Sequence, residues 1–247
     1  MSQIKNLAGQ TALYGLSSIV GRSLGFLLIP FYTSVLTLEE FGIYGELYAY
    51  VAFLNILYLF GMETTFFRFS TKDKILEGTT FNYAQSYIFV TGIVISSLIV
   101  ILAKPIARIL QYPQHYDYVI LLALILFTDA ILAIPFARLR LKNEAGKFAF
   151  IKLFSIIFTI FLNLFFLVFC RQVYLGEFLP QLNSLISYIY VPGYEVGYIL
   201  LSNLISNALQ VPFLFSAFSG FSFSFKWDTM KPMLKYAYPL MFMGMSG

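Results

Sequence analysis

Six stretches of this chain are apolar for long enough to cross a lipid bilayer, and no other feature limits its fold so strongly. They lie near 11–36, 43–67, 81–103, 118–141, 148–169 and 195–218. Crossing the hydrocarbon takes roughly 20 apolar residues in a helix. No water is present there to satisfy N–H and C=O groups, so only helices and closed barrels span. A barrel would show alternating strands of about 10 residues, whereas these segments are apolar on nearly every face. The fold class expected is therefore all-α and integral to a membrane. Composition agrees: 59% of residues are apolar and 11% charged, against about a quarter charged in soluble domains. That shortage excludes a soluble enzyme, a nucleic-acid-binding domain and a disordered linker. The net charge of +4 then points to loops held against an anionic membrane face, with no nucleic acid as partner. With one cysteine, Cys170, and one histidine, His115, there is no intrachain disulfide and no cysteine- or histidine-rich metal cluster. No metal or cofactor is expected.

A seventh apolar run opens at Met233 and is still running at Gly247. As a helix it would reach roughly 22 Å, short of a full crossing. It reads as a helix cut off within its length; the other reading is a short re-entrant or interfacial tail. The expected division is a six-helix lobe over 1–229 and the start of a second lobe over 230–247. Lysine and arginine counts set the orientation. The N-terminal tail and the 2–3, 4–5 and 6–7 connections carry eleven bases, the opposite side only Lys104, Arg108 and Arg171. The N-terminus is expected in the cytoplasm, and Lys152, just inside the fifth helix, fits the same bias. The turn from Thr37 to Gly42 is tight, so the first two helices should be antiparallel neighbours. The connection from Cys170 to Tyr194 holds Tyr174, Tyr188, Tyr190 and Tyr194 and reads as an interfacial segment. Trp227 reads as an interfacial anchor and His115 as a solvated loop residue.

A charge within a membrane helix costs about 2.5–3.5 kcal/mol on insertion scales, so each needs an account. Arg22 and Asp129 fall near the middles of the first and fourth spans, within about 2–3 Å of one depth. Two readings stand: an ion pair that fixes helix register, or a shared aqueous cavity. Ser18, Gly21, Arg22 and Gly25 share one stripe of the first helix, serving either as a packing seam or as space beside the guanidinium. On the sixth helix Asn203, Ser206, Asn207 and Gln210 share a face. They suit a hydroxyl-rich ligand and equally suit interhelical hydrogen bonding. Glu63, Arg68, Arg138 and Arg140 cluster at the cytoplasmic ends of the second and fourth helices. They read either as snorkelling, positive-inside residues or as a cationic mouth for a diphosphate, which arginine's planar fork suits. No Walker A, H-E-x-x-H or G-x-S-x-G motif occurs, so an enzyme is not expected.

Several short motifs, in order, resemble one family. Gly21-Arg22 with Phe31-Tyr32-Thr33 and Leu36 is similar to its opening helix. Leu38-Glu39-Glu40-Phe41-Gly42-Ile43-Tyr44 is similar to its first external turn, and Gly61-Met62-Glu63 with Phe67-Arg68-Phe69 to its second-helix exit. Arg138-Leu139-Arg140 with Asn143-Glu144 resembles its 4–5 connection. Tyr236-Ala237-Tyr238-Pro239-Leu240 resembles the start of its seventh helix. The family is that of the polysaccharide transporters, the O-antigen or oligosaccharide flippases of the MOP exporter superfamily. The resemblance implies a MOP/MATE-like fold of two six-helix lobes related by pseudosymmetry, of which this chain would be the first. It implies alternating access in the inner (plasma) membrane, carrying a polyprenyl-diphosphate-linked oligosaccharide from the cytoplasmic to the outer leaflet. It places Arg22 in the central cavity as counter-charge to the diphosphate, the sixth-helix amides on sugar, and the cytoplasmic arginines where substrate gathers.

The related multidrug extruders carry an acid in the first helix, and none occurs over 11–36 here. That favours an anionic glycolipid over a cationic drug and leaves Asp129 as the acid for any coupling to Na+ or H+. The rivals are a drug or cation antiporter on the same fold and a polytopic glycan polymerase or ligase.

Overall fold

The computed structural model describes residues 28–72 and 77–245, together with residues 15, 19 and 26. The described residues are helical throughout their ordered elements, with no strand. Among the described residues, five helical stretches are long and apolar enough to cross a membrane: Leu38–Lys72, Glu77–Ile101, Tyr116–Leu141, Ala145–Tyr174 and Glu195–Ala217. These are the second to sixth expected spans. The first expected span lies mostly outside the described residues, and its end, 28–35, is helical.

The helices are numbered along the chain. The second span comprises α1 (Leu38–Leu59) and α2 (Met62–Lys72), the third is α3 (Glu77–Ile101), and a short α4 (Ala103–Ile109) follows. The fourth is α5 (Tyr116–Leu141) and the fifth is α6 (Ala145–Leu164). The sixth is α7 (Glu195–Ala208) with α8 (Gln210–Leu214), and the last helix is α9 (Trp227–Met245).

Three boundaries differ from the sequence expectation. The tight turn ends early: Thr37 caps α1, its hydroxyl accepting from the Glu40 N–H while the Glu40 carboxylate accepts from the Thr37 N–H at 2.7 Å. This capping box draws Glu39 and Glu40 into the first helical turn, where acids meet the positive end of the helix dipole. The second span is broken at Phe60 and Gly61, both with positive φ. The fifth runs on as a π-helical turn, Phe165–Cys170, and a further turn, Arg171–Tyr174. Its exposed Phe150, Ile157, Phe161 and Leu164 repeat at helical spacing and form a lipid-facing stripe.

Helix α5 is the central strut. Of its most apolar window, 56% is buried, against 11% for the span comprising α1 and α2, and α1, α3, α6 and α7 all pack on it. Its burial is polar as well as apolar. Pro135 sits inside α5 and has no N–H to give the carbonyl four residues back. That carbonyl, Ile131 O, accepts instead from the Gln85 side chain of α3 at 3.1 Å. The amide nitrogen of a wholly buried glutamine is thereby used, while its side-chain oxygen has no partner among the described residues. Tyr58, Ser96 and the Ala123 carbonyl tie α1, α3 and α5 in the same way, at 2.8 and 3.3 Å.

The ends of the bundle differ. At the end bearing the 3–4 and 5–6 connections, aromatic rings close the structure. His115 is half-buried and stacks on Tyr118 at 4.6 Å, rather than standing free as a solvated loop residue. Tyr190 is buried against Tyr198, and the Tyr194 hydroxyl donates to Asp117. Burial, with that carboxylate beside it, pushes the Tyr194 phenol above its ordinary pKa. Only part of the tyrosine-rich connection therefore faces outward, Tyr188 being the clearest case. The other end, bearing the 2–3, 4–5 and 6–7 connections, is called the basic end below. Removing the Gln85 amide with Gln85→Leu should lower thermal stability in detergent by about 1–2 kcal/mol. Adding Pro135→Ala should return most of that loss, because the new N–H can satisfy Ile131 O.

Candidate functional site

The polar residues singled out in the sequence do not form one constellation. Arg22 lies outside the described residues, as does any partnership it makes. Asp129 projects from the middle of α5 and accepts from the Asn207 amide of α7 at 2.7 Å. The Asn207 carbonyl oxygen in turn accepts from Gln210 at 2.9 Å, and the Gln210 amide also donates to Ser155 of α6 at 3.0 Å. Asn203 donates to the Tyr48 hydroxyl of α1. The stripe on the sixth span is thus spent on binding α7 and α8 to α1, α5 and α6. Interhelical hydrogen bonding, the second of its two sequence readings, is what the geometry shows, and only Asp129 at the end of this chain of amides faces open space.

The four residues at the basic end separate in the same manner. Arg138 is buried, its Nε 2.8 Å from Glu77. Its Nη1 donates to the carbonyls of Ala217 and Ser219 at 2.9 and 2.7 Å, and its guanidinium lies 4.3 Å above the Phe81 ring. With its Nε and Nη1 donors engaged and Phe81 against the guanidinium, Arg138 is a staple holding the 6–7 connection to α3 and α5, not part of an open mouth. Arg68 is exposed and stacks 4.4 Å over Tyr236 of α9, also away from the cavity described next. Arg140 and Glu63 do meet, as an ion pair between α5 and α2.

That pair borders a cavity of about 400 Å3, within the roughly 300–1,000 Å3 usual for small-ligand sites. Asn55, Glu63, Asp129, Phe136, Arg140 and Lys152 line it. Two acids and two bases therefore share one space inside an apolar bundle. Three of its polar groups are left open. The Asn55 carbonyl oxygen and Arg140 Nε are buried without a hydrogen-bond partner among the described residues. The Lys152 ammonium rests 4.1 Å over the Phe136 ring, and no described carboxylate comes within the 4.0 Å of an ion pair. Each such group would be costly in a sealed interior, and here each lies on the wall of a space large enough for water or a ligand. No described group of three or more His, Cys, Asp or Glu could hold a metal ion.

Sequence reasoning reached Asp129, Glu63 and Arg140 and did not single out Asn55 or Lys152 as lining residues. Asn55 was legible as a lone amide inside the apolar run of the second span. Lys152 fits the expected charge bias, and nothing in a charge count shows that its ammonium turns inward over Phe136.

Removing the carboxylate of the Arg138 staple by Glu77→Ala should lower stability in detergent by about 3 kcal/mol or more, as for other buried charges left unpaired. Arg138→Lys should fail to substitute, because a lysine cannot hold Glu77 and two carbonyls in one plane.

With the geometry in hand, comparison with known proteins adds one finding. The model of a family described as polysaccharide biosynthesis protein matches residues 33–176. That is more than half of the chain, and the chain belongs to this family. The match covers α1 to α6, and so every cavity-lining residue named above. No curated protein and no solved structure matches the chain.

Proposed function

We propose that this member of the polysaccharide biosynthesis family is a transporter, not an enzyme. It moves a lipid-diphosphate-linked oligosaccharide repeat unit from the cytoplasmic to the outer leaflet by alternating access, for surface polysaccharide synthesis. The observation that carries the reading is the Lys152 ammonium, held over an aromatic face in a polar cavity with no carboxylate at contact distance. A cation that makes no contact ion pair in a low-dielectric space favours an anion that enters, even with Asp129 and Glu63 sharing the cavity at longer range. A diphosphate supplies one, and its oxygens accept from ammonium and guanidinium donors alike. Arg140 has a free Nε for the same anion. The Asn55 carbonyl can accept from a sugar hydroxyl. In this reading the basic end faces the cytoplasm of the inner (plasma) membrane, which agrees with the lysine and arginine bias. The polyprenyl chain stays in the surrounding lipid. Arg22 is proposed as a second counter-charge on the sequence pattern and the family resemblance alone.

Asp129 supports a second reading, a cation or drug antiporter, since it is an acid facing the same cavity. In the flippase reading Asp129 instead serves any coupling to Na+ or H+. The two separate on mutation. Losing a counter-charge to a desolvated anion costs about 2–5 kcal/mol, more than tenfold in affinity. Lys152→Met should therefore cut surface polysaccharide at least tenfold while lipid-linked repeat units accumulate on the cytoplasmic side. Lys152→Arg should retain a measurable part. Undiminished export by Lys152→Met at normal protein level, with loss of cation resistance in Asp129→Asn, would establish the antiporter instead.

A further inference from the structure

The break between α1 and α2 is built, not frayed. Phe60 and Gly61 stand at φ 47° and 68°, and both sides of the break are capped. The Phe60 N–H donates to Ile56 O at 2.9 Å, and the Gly61 carbonyl accepts from the Thr65 N–H and hydroxyl at 3.1 and 2.9 Å. Two residues thus join two closed helical pieces, the arrangement in which a few backbone torsions can absorb a rotation.

Helix α9 is seated on this break. A Cβ at Gly61 would stand 2.9 Å from the Ala237 carbonyl oxygen and 3.0 Å from the Leu240 Cβ, so only glycine permits both the backbone turn and the approach. Two turns along α2, Arg68 stacks on Tyr236 and the Phe69 ring meets it edge-on at 6.2 Å. Helix α2 is thereby held to α9 near both of its ends and packs on α3 and α5 as well, while its backbone joins α1 through the two left-handed residues. Its second residue is Glu63, whose carboxylate pairs with Arg140 at the border of the cavity. Each side chain of that pair is 34% exposed. Water can therefore replace either partner at low cost, which is not true of the enclosed Arg138–Glu77 staple.

We propose that Gly61 is a positioning residue that acts through Glu63. Helix α2 moves with α9 about the Phe60–Gly61 joint, and this movement makes or breaks the Glu63–Arg140 pair and so shuts or opens the cavity. The pivot is indifferent to what the cavity binds, and its failure would leave the assignment of the substrate standing.

Cavity access reads the pivot directly. In full-length chain in membrane vesicles, with Cys170→Ala removing the native thiol, Ala133→Cys places a thiol on the cavity wall. Its rate of maleimide labelling is the measurement. Gly61→Ala and Glu63→Gln are each expected to change that rate by roughly threefold or more, and the double variant by no more than the larger single, as for residues acting in series. An unchanged rate in Gly61→Ala at normal membrane level overturns the proposal, as do two effects that simply multiply. If Gly61→Ala does not reach the membrane, spin labels at Phe53→Cys on α1 and Thr71→Cys on α2 replace it. Glu63→Gln is then expected to shift their distance distribution, and an unchanged distribution overturns the pivot.

Discussion

A buried polar group in this bundle has no water to turn to, and the organisation of the molecule follows from how that demand is met along α5. Pro135 opens a gap in the helix ladder and Gln85 fills it. Ser96 links Tyr58 to the Ala123 carbonyl. Arg138 receives a carboxylate, two carbonyls and an aromatic face. Between helices in lipid the hydrophobic effect gives little preference for one packing over another, so close contacts and hydrogen bonds of this kind choose it. Helix α5 supplies a partner to each of its neighbours, and the register of the whole bundle is set against it.

Not every buried polar atom is paired: Ser70, Gln85, Tyr112, Asn163, Glu195 and Gln210 each keep one without a partner among the described residues. Asn55, Arg140 and Lys152 each leave donors or acceptors open, and all three border one cavity with Asp129 and Glu63. A bundle able to satisfy Arg138 four ways has no structural need to leave Lys152 with only a phenylalanine ring. An ammonium in no contact ion pair and two unpartnered polar atoms on the wall of one cavity, within a polysaccharide biosynthesis family, are what support a transport reading over a purely structural one. The two ion pairs at the basic end divide the labour physically: the enclosed one holds the connection, and the half-exposed one can be exchanged for water.

The joint at Phe60–Gly61 gives that exchangeable pair a mechanical neighbour. Helix α9 contacts α2 through Ala237 and Tyr236, and contacts α1 where Gly244 approaches Ile56. Coupling of this type needs an element with two arrangements and a contact that favours one of them, and the proposed pivot assigns these roles to α2 and to the Glu63–Arg140 pair.

The sequence by itself determined the class of the protein and most of its helices. Runs of apolar residues long enough to cross lipid can satisfy their backbone in only one way here, so the second to sixth spans were legible from length and composition. It also singled out Asp129, Glu63 and Arg140 as charges in need of a reason. Which reason each had was decided in three dimensions. Arg138 and Arg140, two residues apart on one helix, project to different neighbours, one into a closed staple and the other onto the cavity. The Asn207 and Gln210 amides, spaced as if for a ligand, were taken up by Asp129 and Ser155. Lys152 fits the expected charge bias, which says nothing about inward or outward. A helical pattern fixes which residues share a face, but the partner that face meets depends on helices distant in the chain, and only their packing supplies it.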